Sequence, residues 1–217
     1  MTSAAQPLES GTPVVPPAPS TLRDRTVRAV RAEVAHVAMR LFLEQGFEKT
    51  TVNQIAAAAG MSHTSFFRYF ATKEDVVLGH LEELGHRVLE GLRARPESEP
   101  AWQALRHALD LPLTETAASP EEQLRVAHML DNTPSLKMRR LGKQLTWHEL
   151  LVPEIARRLH IDDYAEDPRP RALVAAALAC LNAAVTTWTE ADGAIGLPDL
   201  LDQAMSAIPQ SARDASS

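Results

Sequence analysis

With a single cysteine, Cys180, the chain cannot close an internal disulfide, and no Cys/His pair has the spacing of zinc ligands. Such usage fits a reducing cytosol, so a cytoplasmic protein is expected. A secretory leader is not expected either. The first twenty residues hold Pro7, Pro13, Pro16, Pro17 and Pro19 but no Lys, no Arg and no apolar run, which is the composition of a disordered tail over 1–20. Ala172 to Thr189 is uncharged for about the length of a short membrane span, yet it is mostly alanine and carries Asn182, Thr186, Thr187 and Thr189. A buried helix in a protein without membrane contact is the expectation there. Alternating β-branched runs between turn signals are absent, so the fold class expected is all-α. His107, His128, His148 and His160 are widely spaced, with no His-x-x-x-His pair and no Gly-x-Ser-x-Gly elbow. No catalytic residue, metal or cofactor is therefore assigned, and an enzyme is not expected.

What the chain does have is an uneven charge. Its 217 residues total −6, and the length allows one or two domains with a core of their own. Between Thr21 and Lys73 eight basic residues (Arg23, Arg25, Arg28, Arg31, Arg40, Lys49, Arg68 and Lys73) face four acidic ones (Asp24, Glu33, Glu44 and Glu48). The segment thus nets +4 and leaves −10 for the rest. A phosphate-binding module joined to a module of another kind would show this asymmetry. Arg23, Arg25, Arg28 and Arg31 fit either an arm that contacts DNA or a solvated helix face.

Helical punctuation divides the chain into about nine helices. Val27, Val30, Val34, Val37, Ala38, Leu41 and Phe42 recur at three- and four-residue steps from Thr26 to Gln45, and Gly46 supplies a stop. Thr51 with Gln54 forms a capping box for a short helix, Gly60 supplies the turn, and Ser62 caps a second short helix through about Tyr69. Thr72 opens a long fourth helix to about Arg95, closed by Pro96 and Pro100. Further helices are expected over 101–116, 121–130, 135–160, 169–190 and 198–207.

Two short helices about a glycine turn describe a helix-turn-helix, whose second helix enters the DNA major groove. The residues are more specific than the spacing. Leu41, Phe42, Gly46 and Phe47 precede Thr50-Thr51-Val52, Ile55-Ala56, Ala59-Gly60-Met61-Ser62, Phe66-Phe67-Arg68-Tyr69-Phe70 and Lys73-Glu74-Asp75-Val76. Over about 26–81 this series closely resembles the tetracycline-repressor (TetR) family. The resemblance implies an N-terminal three-helix DNA-binding domain over 21–80 and a helical ligand-binding and dimerisation domain over 81–209, with a second tail at 210–217. It also implies a homodimer on a palindromic double-stranded operator, released by a small-molecule effector, usually as a repressor.

By the same resemblance Thr51 contacts phosphate, Asn53 reaches phosphate or a base edge, and His63, Thr64 and Ser65 read bases. Tyr69 and Lys73 match positions that clamp phosphates. Position 67 is commonly a tyrosine in the family, and Phe67 has no hydroxyl for a phosphate, which makes Arg68 a candidate replacement. Leu136, Met138, Leu141, Leu145, Trp147, Leu150, Ile155 and Leu159, with Ala184 and Trp188, resemble a C-terminal subfamily of actinobacterial regulators. The helices over 169–190 and 198–207 are its dimer candidates. An apolar pocket with a few polar groups would draw on Trp102, Leu105, His128, Met129, Trp147, His148 and Trp188, each of which also suits ordinary core packing. The alternative reading is a helical interaction module whose helix-turn-helix contacts protein.

Overall fold

The structure, a computed structural model, describes residues 21–111 and 119–214, so the expected tail over 1–20 lies outside the described residues. All regular structure there is helical: α1 (Leu22–Gln45), α2 (Val52–Ala58), α3 (His63–Tyr69), α4 (Lys73–Leu78), α5 (His80–Arg93), α6 (Ala101–Ala108), α7 (Pro120–Asn132), α8 (Pro134–Arg158), α9 (Arg169–Glu190) and α10 (Leu197–Asp214).

Caps account for most of the starts. Thr21 and Asp24 form a reciprocal capping box that sets the first turn of α1 four residues earlier than its apolar pattern begins. Those first turns are exposed, and only from Val34 onward does α1 enter a core. Gly46 ends it with φ 91°, a conformation that side chains with a Cβ rarely adopt.

The expected fourth helix is interrupted at Gly79, between α4 and α5; counted as one rod, the two give the nine helices of the sequence reading. Gly79 stays right-handed (φ −63°, ψ −28°), but a Cβ there would lie 2.5 Å from the Asp75 carbonyl oxygen, so the tight passage needs glycine. At the other end α10 runs to Asp214, through part of the segment read as a tail. The continuation of α6 expected as far as 116 falls mostly outside the described residues.

Two hydrophobic clusters form. One gathers Val34, Ala38, Phe42, Phe47, Ile55, Phe66, Phe70 and Val76–Leu78 from α1 to α4. The larger gathers Val88, Leu92, Leu105, Leu109, Trp147, Leu151, Ile155, Val174, Leu181 and Leu201. Burying a residue such as Phe66 or Leu105 fully contributes roughly 1.5–3 kcal/mol.

The first cluster also takes in Leu136, fully buried, with Met129 and Leu130 against it. The α7–α8 corner is therefore plugged into the N-terminal core. Ion pairs and hydrogen bonds seal the junction: Arg139 reaches Thr72 Oγ1 (2.9 Å) and Asp75 (3.1 Å), and Arg125 donates to the Leu43 carbonyl (2.9 Å).

α9, long and apolar enough to cross a membrane by length and composition, is instead packed against α8 and α10, with Val174, Leu178, Leu181 and Ala184 buried in the core. Burial raises the pKa of the Cys180 thiol.

Candidate nucleic-acid interface

α2 and α3 are each seven residues long, too short to be stable alone, and are held by caps at their starts and core residues beneath. Gly60 (φ 66°) turns the chain between them, and the Met61 N–H bonds back to the Ala56 carbonyl at 2.9 Å. Ser62 Oγ accepts the Ser65 N–H at 3.1 Å and starts α3. Ile55 and Phe66 are fully buried, so the opposite sides of both helices face solvent.

That exposed side of α3 carries His63, Thr64, Phe67 and Arg68. At 100° per residue the four share one face of the helix. His63 and Phe67 touch edge to face, with ring centroids 4.8 Å apart, and Phe67 leans on Phe66 in the same way at 5.4 Å. Phe67 is 46% exposed, a large apolar surface left uncovered by the described residues, and Arg68 beside it has no hydrogen bond or ion pair among them. An apolar ring, an imidazole, a threonine and a free guanidinium together suit the mixed edges and methyl groups of a DNA groove and the phosphates flanking it.

The other expected contacts are distributed differently. Ser65 and Tyr69 are half-buried and line a groove of about 540 Å³ against α1, with Val30, Glu33 and Met61, and Arg68 borders both this groove and the exposed face. Helical periodicity turns Ser65 and Tyr69 more than a quarter of a circle away from the face of His63 and Phe67. Asn53 and Thr51 are exposed at the start of α2. Both the N–H of Thr51 (2.8 Å) and its hydroxyl (3.1 Å), the expected phosphate donors, are directed at Gln54 Oε1. A phosphate oxygen would take the place of that carboxamide oxygen.

Lys73 also points inward. Its Nζ donates to the carbonyls of Phe47 (2.8 Å) and Thr50 (3.1 Å) and sits 4.1 Å from the centroid of the Phe47 ring. Arg31, read with Arg23, Arg25 and Arg28 as either a DNA-contacting arm or a solvated face, instead donates from both Nε and Nη2 to the Tyr69 carbonyl, at 3.0 and 2.8 Å.

The seven residues expected around a ligand do not share one cavity. Trp147 and Leu105 are buried in the larger core, with Trp102 and Trp188 packed on it. The Trp147 indole N–H donates to the Leu81 carbonyl at 2.8 Å. Trp102 donates to the Met205 carbonyl and borders a surface groove of about 390 Å³ with Arg106 and His107. Met129 lies against the N-terminal cluster instead, because the α7–α8 corner carries it there. His128 meets Asp192 at 3.0 Å, and His148 Nε2 lies 3.1 Å from the Arg171 carbonyl.

Residues 35–79 match the model of bacterial regulatory proteins of the tetR family, and residues 99–212, over half the chain, match the MftR C-terminal domain. The chain belongs to the TetR family of transcriptional regulators. It is 33% identical over 160 residues to the transcriptional regulator TcmR of Streptomyces glaucescens, covering 71% of this chain and 70% of that one. The putative mycofactocin biosynthesis regulator MftR of Mycobacterium tuberculosis is 28% identical over 129 residues, covering 58% of this chain and 63% of that one. Among solved structures, Thermus thermophilus FadR with lauroyl-CoA shares the fold at a TM-score of 0.54 and 23% identity, over 81% of this chain and 91% of that one. The SmeT–triclosan complex does so at 0.57 and 17%, over 82% and 91%. As a TetR-family member the chain is a DNA-binding regulator of transcription with an N-terminal helix-turn-helix and a C-terminal helical domain.

Proposed function

We propose that this regulator is a cytoplasmic homodimer that represses transcription from a palindromic operator and leaves it when a small molecule enters the C-terminal domain. The observation that carries the DNA contact is the single exposed face of α3, with His63, Thr64, Phe67 and the unpaired Arg68 on it. Thr51 and Asn53 flank this face from α2. Ser65 and Tyr69 support it from the groove against α1, and the reading domain spans 21–80.

Dimer formation is supported by α9, whose Ala172, Ala175, Ala179 and Ala183 are exposed along one side, opposite the side that carries Val174, Leu178, Leu181 and Ala184 into the core. A flat alanine face lets a two-fold partner approach closely, and a two-fold axis places two recognition helices on symmetric half-sites. The regulatory part, 81–209, holds the larger apolar core, in which Leu105 and Trp147 are buried with Trp188 packed against it, and an effector that enters there must part these side chains. The ligands named with the two solved structures, lauroyl-CoA and triclosan, both have large apolar parts. The protein is a binder, with no reaction assigned to it.

Selection of random double-stranded DNA by the purified protein, followed by a salt titration on the recovered sequence, tests this reading. A palindrome bound with a steep loss of affinity in salt is the expected result, because phosphate contacts release counterions. Absence of any enriched sequence, with binding of a protein partner insensitive to salt, would replace it by the interaction-module reading.

A further inference from the structure

The eight cations between Thr21 and Lys73 divide into two sets. Arg23, Arg25, Arg40, Lys49 and Arg68 are exposed, and their side chains make no hydrogen bond or close ion pair among the described residues. The other three are engaged by the protein itself. Arg28 reaches Glu83 at 3.7 Å, Arg31 grips the Tyr69 carbonyl, and Lys73 grips the carbonyls of Phe47 and Thr50. Charge counted along the sequence therefore overstates the charge available to phosphate.

Arg31 and Lys73 are attached at informative places. Tyr69 is the last residue of α3, where carbonyls have no partner within the helix. The Arg31 fork supplies two donors to that carbonyl, its charge complements the negative end of the helix, and its guanidinium lies 5.5 Å from the Phe70 ring centroid. α3 is thus fixed at both ends, by Ser62 at its start and by Arg31 on α1 at its finish.

Lys73 is the first residue of α4, an end that disfavours a cation. Two carbonyls and the face of Phe47 offset that, and through them α4 is tied to the turn that ends at Thr51, the cap of α2.

We infer that Arg31 and Lys73 are positioning residues for operator recognition: neither touches DNA, Arg31 sets the pitch of the recognition helix on α1, and Lys73 sets the turn that presents Thr51 and Asn53. The inference rests on the DNA-binding reading above. It departs from the phosphate clamp that the family resemblance implies for Lys73.

The test uses the full chain and the duplex recovered by selection, with the dissociation constant measured across a series of KCl concentrations. Removing one phosphate-neutralising side chain lowers the salt slope by about 0.9, hence by about 1.8 for a residue present twice in a dimer. Arg68→Ala should show that drop. Arg31→Ala and Lys73→Met should bind about tenfold more weakly, as expected for loss of a charge-assisted hydrogen bond, with the wild-type slope intact. Arg31→Lys keeps the charge but not the fork and should also bind more weakly at unchanged slope.

A merely structural role would lower the melting temperature and leave the affinity of the folded protein unchanged. That result in Arg31→Lys and in Lys73→Arg would overturn the inference. So would a slope reduced as in Arg68→Ala. Failure of the wild type to bind any duplex would overturn the DNA-binding reading itself, and with it this one.

Discussion

Replacing Gly85 by alanine should destabilise the C-terminal core, although the same change elsewhere in a helix stabilises. Gly85 is in the middle of α5, where alanine gains about 1 kcal/mol of helix propensity. Against that gain, the added Cβ would lie 2.5 Å from Trp147 Nε1 and 2.6 Å from its Cδ1. The indole is 5% exposed and its N–H is bonded to the Leu81 carbonyl, so it has nowhere to retreat without losing that bond. Overpacking costs about 1–3 kcal/mol, and a buried donor left without its acceptor about 1–3 kcal/mol more. The net loss should be about 1–5 kcal/mol, centred on about 3 kcal/mol. Gly142→Ala is the control: it is interior to α8 with nothing within 4 Å of the added atom, and should gain roughly 0.5–1 kcal/mol. Urea unfolding followed by circular dichroism measures both, with tryptophan fluorescence reporting the displacement of Trp147. If Gly85→Ala proved as stable as Gly142→Ala, the tight seat of Trp147 on α5 would be refuted.

Arg158, 1% exposed at its side chain, donates to the carbonyls of Leu92, Arg95 and Pro96 and to Glu154, itself buried. Arg158→Met should therefore cost about 2–4 kcal/mol in thermal or urea unfolding, since it leaves three buried carbonyls without their donor, while the Glu154 carboxylate keeps Arg157. The two-pronged hydrogen bond from Arg95, with His107 on its other side, holds the Glu99 carboxyl down at about 2 from an ordinary 4.5. A depressed folded value stabilises above the unfolded value and is lost as pH falls towards 2, so Glu99→Gln should flatten the acid dependence of stability between about pH 4.5 and 2. His63→Ala should relax base preference at one symmetric pair of operator positions by about 1–3 kcal/mol, read by repeating the selection with the variant. Thr51→Ala should cost about 1 kcal/mol of stability through loss of the cap and also weaken binding to every duplex, whereas Gln54→Ala should share only the first effect.

Signals confined to a few neighbouring residues are legible in the sequence. Caps at Thr51, Ser62 and Thr72, the glycine turn at Gly60 and the apolar face of α1 each depend on residues within one or two turns, and each appears where the pattern puts it. The capping box at Thr21 is equally local, but it is followed by exposed turns, so apolar periodicity starts α1 too late. The break at Gly79 is hidden for another reason. An interior glycine is compatible with a continuous helix, and only the approach of Asp75 to its Cα shows that this one is needed. Leu136 and Met129 belong with the C-terminal half by their position in the chain. The corner between α7 and α8 folds back onto α1 and α4, and no local pattern encodes that return.

The reading face shows where sequence order and spatial order part. Consecutive candidates His63, Thr64 and Ser65 cannot all point at one groove from a helix that turns 100° per residue, and the face that emerges skips to Phe67 and Arg68. Cations are harder still to place. An arginine paired with a carboxylate leaves a complementary residue to be found in the sequence, whereas Arg31 and Lys73 are satisfied by main-chain carbonyls, which every residue possesses. Their partners are selected by the end of a helix and the bend of a turn, and so become visible only once α1, α3 and α4 are packed together. The same basic residues that make the segment look like a uniform phosphate-binding surface therefore serve two purposes, with unbonded charges available to DNA and carbonyl-bound ones fixing the helices that carry them.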